Sequence, residues 1–170
     1  MAVKWWRRAG DARVAIELDP AAAQNNLGYM YEDGLGVPQD YAEAANWFRL
    51  SAERGLAAAQ YNLGIMYENG QGIPQDYAEA VKWWRLAAEQ GHALAQYNLG
   101  TMYDAGRGVP QNYVQAHMWY SLAASRLPPG ENHDNAVNNR NAVAALMTPA
   151  QVAEAQRLAS EWKPCGGRAE

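Results

Sequence analysis

With 170 residues, 49% of them hydrophobic and 19% charged, the chain has a globular rather than a disordered composition, and length for one compact domain or one short solenoid. A net charge of −4, with no basic stripe beyond the short Lys4, Arg7, Arg8 group, argues against nucleic acid as a partner. The single cysteine, Cys165, allows no internal disulfide, and no apolar run approaches the ~20 residues of a membrane span, so membrane insertion is not expected.

Residues 1–20 read as half of a helix pair followed by a connector. Val3-Lys4-Trp5-Trp6-Arg7 matches Val81-Lys82-Trp83-Trp84-Arg85, so the chain opens on the second helix of a pair whose first helix is missing. Trp5 and Trp6 then lack a covering helix, and paired uncovered indoles suit self-association. The first residues carry no apolar stretch of the kind a signal peptide needs, which leaves cytoplasmic, periplasmic and secreted locations all open.

From residue 21 the chain repeats. Asn26-Leu27-Gly28-Tyr29-Met30-Tyr31 returns as Asn62-Leu63-Gly64-Ile65-Met66-Tyr67 and again as Asn98-Leu99-Gly100-Thr101-Met102-Tyr103, each time 36 residues on. A fixed period of this size marks a solenoid, whose units bury a core by stacking and leave an extended surface for binding. Three units follow, at about 21–56, 57–92 and 93–126. In the middle one, Leu63, Met66 and Tyr67 fall at helical spacing within a first helix over Ala57–Asn69. Gly70, Gly72 and Pro74 write the loop. Asp76 and Glu79 form a capping box for a second helix running to about Gln90, and Gly91 stands where a left-handed C-cap is needed. Asp40 with Glu43, and Asn112 with Gln115, repeat the box. Gly28, Gly64 and Gly100 lie inside first helices, where glycine costs about 1 kcal/mol against alanine; their recurrence predicts that the second helix crosses too closely for a side chain. Trp47, Trp83 and Trp119 are expected to fill the seam between units.

Residues 127–163 depart from the period. Leu127-Pro128-Pro129-Gly130 breaks the chain, a helix is expected from about Asp134 to Met147, and Thr148-Pro149-Ala150-Gln151 is a second kind of capping box launching a last helix to about Trp162. This pair lacks the repeat signature, as a terminal cap should. Residues 164–170 read as a flexible tail.

The unit Ala-x-x-x-Leu-Gly-x-x-Tyr-x-x-Gly-x-Gly-Val-x-x-Asp-x-x-x-Ala-x-x-Trp resembles the Sel1-like repeat, a bacterial relative of the tetratricopeptide repeat. The resemblance covers about Ala21–Ala124 plus the N-terminal half unit, and the ending Met147–Trp162 is similar to the closing segment of many bacterial members. It implies an all-α fold, a right-handed α-superhelix of antiparallel helix pairs closed by a C-terminal capping pair. It also implies an adaptor that binds a protein or peptide. A cysteine-rich branch of the family has been linked to penicillin binding or hydrolysis; this chain lacks those cysteines, so that activity is not carried over.

By the same resemblance the concave face is lined by the first helices. Three rows result: Asn26, Asn62 and Asn98; Tyr61 and Tyr97, with Asn25 in the first unit; and Tyr29, Ile65 and Thr101. Glu32, Glu68 and Asp104 form an acidic edge. An asparagine ladder can donate to and accept from a peptide backbone, and tyrosines add stacking area. The same asparagines can instead bond the next unit and set the stacking angle, and both uses are open. Some tetratricopeptide domains clamp a carboxylate with groove Lys and Arg; the corresponding positions here are Ala22, Ala58 and Leu94. The groove is therefore expected to favour a neutral or basic peptide. Tyr31, Tyr67, Tyr103 and Met30, Met66, Met102 are read as packing residues.

No catalytic or metal constellation appears. His92, His117 and His133 are scattered over a loop, a second helix and the C-terminal linker, and Gly-x-Gly precedes a proline loop rather than a phosphate-binding Lys. No cofactor is implied. The reading is a non-enzymatic scaffold, with self-association into a homo-oligomer through the N-terminal helix as the alternative.

Overall fold

The computed structural model describes residues 19–165. Trp5, Trp6 and the rest of the N-terminal half unit therefore lie outside the described residues, as do the last five. Eight helices and no strand are found among the described residues: α1 (Pro20–Asp33), α2 (Tyr41–Glu53), α3 (Ala57–Asn69), α4 (Tyr77–Glu89), α5 (Ala93–Ala105), α6 (Tyr113–Arg126), α7 (Glu131–Ala144) and α8 (Pro149–Glu161). The chain divides into two compact units, Met1–Asp76 and Tyr77–Glu170. The fold is all-α, as expected.

In the first unit α1 packs on α2, and α2 on α3. Asp19 caps α1 by accepting from the Ala22 amide at 3.0 Å, with Pro20 at the first position, where its missing N–H costs nothing. Asp40 caps α2, accepting from the amides of Ala42 at 2.9 Å and Glu43 at 3.1 Å. Ala44, Ala45, Phe48 and Ala52 of α2 are buried, as are Ala59, Leu63 and Met66 of α3. The Phe48 ring lies over Gly28: a Cβ there would come within 2.5 Å of its Cδ1. In the second unit the Tyr120 ring plays the same part at Gly100, 2.8 Å from a would-be Cβ. The predicted close crossing is therefore real at both sites. The aromatic that meets the glycine at these two crossings is the residue after the tryptophan. Phe48, Trp84 and Tyr120, one residue after each Trp, are fully buried, while Trp47 and Trp83 are half-buried and Trp119 is buried against Trp162 at 6.4 Å. The inward stripe of α2 runs Ala44, Phe48, Ser51, Ala52, a helical spacing that places Trp47 at its margin.

Each first helix ends the same way. Gly34, Gly70 and Gly106 take the left-handed conformation, φ 66 to 68°, and their amides bond the carbonyls of Met30, Met66 and Met102. Gln39, Gln75 and Gln111 then donate from Nε2 to the carbonyls of Glu32, Glu68 and Asp104 at 2.6 to 2.7 Å, satisfying acceptors that a helix end leaves open. A second glutamine row is buried. Gln60 donates to the Ala52 carbonyl and Gln96 to the Ala88 carbonyl, both at 3.1 Å, tying each first helix to the end of the preceding second helix. Gln96→Ala should therefore cost roughly 2 kcal/mol, a buried hydrogen bond plus a void, whereas Gln39→Ala on the surface should cost under about 1 kcal/mol. Urea melts of the two variants check the difference.

The second unit stacks α4 on α5, α5 on α6, and both α7 and α8 on α6. Helix α7 begins at Glu131 and ends at Ala144, a turn earlier at both ends than expected. Pro128 and Pro129 end the preceding segment, and Glu131 and Asp134 then occupy a first turn that favours negative charge. His133 accordingly sits in that turn, not in a linker, with Nδ1 3.0 Å from Asp134 Oδ1. The Thr148–Gln151 capping box forms in full, with Pro149 at the first position of α8. Beyond α8, Trp162 lies under the Arg126 guanidinium at 4.5 Å, and the Cys165 amide donates to the Glu89 carbonyl at 2.7 Å.

Candidate interaction surface

The first helices present different residues at matching positions. On α1, Asn26 is exposed and Tyr29 is 38% exposed, its ring meeting Phe48 edge-on at 5.3 Å. On α3, Asn62 is only 9% exposed. Its Nδ2 donates to the Tyr29 hydroxyl at 2.8 Å and to Asn25 Oδ1 at 3.3 Å. Asn62 thus bonds the neighbouring helix, the structural use of the asparagine row, while Asn26 one repeat earlier is exposed. Tyr61 and Ile65 are half-buried on the same helix. Glu32 and Glu68 are partly covered near the ends of α1 and α3, and burial, then the charge of Asp33, raises the Glu32 carboxyl above its usual range.

In the second unit, Tyr97 of α5 is turned toward the cap. Its hydroxyl accepts from Asn139 Nδ2 of α7 at 3.1 Å, and its ring lies 5.7 Å from Tyr120. Thr101 donates to the Tyr97 carbonyl and accepts from the Tyr120 hydroxyl, both at 3.2 Å. That hydroxyl is pushed up to about 12, chiefly by burial. Asn98 is half-buried, and burial raises Asp104. Tyr67 and Tyr103, read as packing residues, also accept hydrogen bonds. Arg49 and Arg85 donate to their hydroxyls at 3.2 and 2.6 Å, linking a second helix to the next first helix. Sequence reasoning did not single out Asn139 or the two glutamine rows. The glutamines do recur at the 36-residue period and were findable. Asn139 lies outside the repeat, where no register points to it.

The histidines serve the structure. His92 caps α5, Nδ1 accepting from the Ala95 amide at 3.2 Å, and His117 is 4% exposed on α6. Burial lowers both, at His117 with help from the Arg140 charge. Both rings take up protons less readily in the folded chain than in the unfolded chain, which protonates below about pH 6.5, so the unfolded state binds more protons there. Their effect is absent above that value, and stability falls as pH drops through it and levels off below the folded values. The raised carboxylates Glu32 and Asp104 act with the opposite sign in a lower window. The melting temperature should therefore fall between about pH 7.5 and about pH 5.5, and His92→Asn with His117→Gln should flatten that slope.

Among the described residues no three His, Cys, Asp or Glu side chains gather as a metal site, and no helix is long and apolar enough to cross a membrane. Comparison with known families matches the Sel1 repeat over residues 1–13, 21–56, 57–92 and 93–126. The chain belongs to the Sel1 repeat family. Its structure is similar to that of c5321, a protective antigen of uropathogenic Escherichia coli strains displaying an SLR fold, with a TM-score of 0.77 and 35% identity over 90% of this chain. This chain spans 32% of that protein's length. It is also similar to a Sel1 repeat protein from Oxalobacter formigenes, with a TM-score of 0.69 and 34% identity over 80% of this chain and 98% of that one. No curated protein matches. As Sel1 repeats, the units explain why Gly recurs at a buried position in all three and Leu and Met in the second and third: each seats a neighbouring helix.

Proposed function

We propose that this Sel1 repeat chain is a non-enzymatic scaffold that holds a protein or peptide segment on the exposed parts of its first helices. Sel1 repeat proteins are generally protein-interaction scaffolds and typically non-catalytic. One observation carries the finer reading. Leu63, Leu99, Gly28 and Gly100 are buried in the stack, whereas Asn26 and Asn98 and the drifting position Tyr29, Ile65, Thr101 keep part of their surface. Asn26 and Tyr29 in the first unit offer hydrogen bonding and aromatic area with Glu32 near the helix end. Asn98 and Asp104 offer the polar counterpart in the second. With acidic and no basic groups among these residues, a neutral or basic segment is favoured.

Titration of the chain with matched basic and acidic peptides tests this. The basic peptide should bind more tightly, and Asn26→Arg, an exposed change that leaves the fold intact, should weaken it about tenfold by reversing the local charge. Tighter binding of the acidic peptide would count against the reading.

A further inference from the structure

Away from the first helices, α6, α7 and α8 line an open cleft of about 350 Å3, within the size of small-molecule sites. It forms where the capping helices replace a regular repeat. His117 and Ser121 line it from α6, Arg140 and Asn141 from α7, and Gln156 from α8, with Ala144 and Val152 supplying an apolar wall. The polar groups are not equivalent. The Ser121 hydroxyl gives its proton to the His117 carbonyl at 2.8 Å, and its oxygen faces His117 Nδ1 at 3.5 Å, so these two are largely occupied with each other. Arg140 is different. Its Nε and one Nη donate to Asn141 Oδ1 at 3.2 and 3.0 Å, and the rest of the guanidinium fork has no carboxylate partner among the described residues. Other arginines of this unit are paired: Arg157 with Glu154 and Glu161, Arg85 with Tyr103, Arg126 over Trp162.

No Asp or Glu lines the cavity, so a half-buried cation faces it uncompensated. A guanidinium in that setting is stabilised by an anion, and its planar fork matches a carboxylate bidentately. A single positive charge with neutral amides suits one negative charge better than a phosphate's two. The apolar wall gives a hydrocarbon group somewhere to lie. We propose that this cavity binds a small organic monocarboxylate, with the carboxylate on Arg140 and the hydrocarbon part against Ala144 and Val152.

The test is a nuclear magnetic resonance titration of the whole chain with hexanoate, hexylamine and inorganic phosphate in parallel. Hexanoate should give saturable shifts at Arg140, Asn141 and Gln156, and the other two should not. Arg140→Gln should weaken hexanoate about tenfold or more, the scale of a lost charge-assisted pair. Gln156→Glu, an exposed change that sets a carboxylate on the wall without touching the core, should weaken it as well. Absence of saturation, equally tight binding of hexylamine or phosphate, or unchanged hexanoate affinity in both variants would overturn the proposal.

Discussion

Gly72→Ala should lower stability by roughly 3 to 5 kcal/mol, far more than one methyl group costs elsewhere on the surface. Two separate effects meet at this residue. Its φ of +70° lies in the left-handed region, which costs a side-chain-bearing residue about 1–2 kcal/mol. Its Cβ would also overlap the Tyr41 carbonyl group and fall 2.5 Å from the Ala42 nitrogen at the start of α2. Those are backbone atoms held in the first turn of a capped helix, so no rotamer change relieves the overlap. Gly108 repeats the arrangement in the second unit, where a Cβ would fall 2.5 Å from the Tyr77 carbonyl carbon, and Gly108→Ala should cost about as much. Gly55 provides the control. It has φ +92° but no atom within 4 Å of a Cβ, so Gly55→Ala should show the conformational cost alone, about 1–2 kcal/mol. Urea melts followed by circular dichroism would rank the variants, and equal costs at Gly72 and Gly55 would refute the contact explanation.

Phe48→Ala should cost roughly 3 to 5 kcal/mol, the scale for emptying a fully buried aromatic site. The ring fills the space that Gly28 leaves open and meets Tyr29 edge-on, so its loss unseats α1 from α2. Gly28→Ala approaches the same contact from the other side. Alanine should gain about 1 kcal/mol of helix propensity. The 2.5 Å approach to Phe48 outweighs it, because the ring is fully buried and has no room to withdraw. The net effect should be a loss of about 1–3 kcal/mol. Because the two residues share one space, their effects should not add. Phe48→Leu in the Gly28→Ala background should restore part of the loss, and a double-mutant cycle read by thermal melts would measure that coupling. Additive costs would mean that the glycine is required for some other reason.

Much of this was legible in the chain, for physical reasons that differ by element. The α3 boundaries, Ala57–Asn69, agree with expectation because glycine ends that helix by a local backbone rule that needs no neighbour. The Thr148–Gln151 box is equally local. The close crossing at Gly28 was inferable because the period turned a costly glycine into a recurring one. Its partner was not, since Trp47 and Phe48 are adjacent aromatics and only the crossing of α1 over α2 selects between them. The candidate surface divides in the same way. Sequence placed Asn62 and Tyr97 on first helices, but whether each faces outward depended on what lay opposite. Asn62 met Tyr29 and Asn25, and Tyr97 met Asn139 from a helix with no repeat register.

The sequence by itself determined the period, the helix ends written in glycine or a capping box, and the family, since capping, turn chemistry and repeated spacing act over a few residues and survive without tertiary context. Tertiary structure decided which aromatic fills each glycine gap, which polar side chains are committed to packing, and where Arg140 is left facing a cavity without a carboxylate. Those outcomes depend on atoms brought together from distant parts of the chain, and side-chain identity at one position says nothing of what will stand across from it.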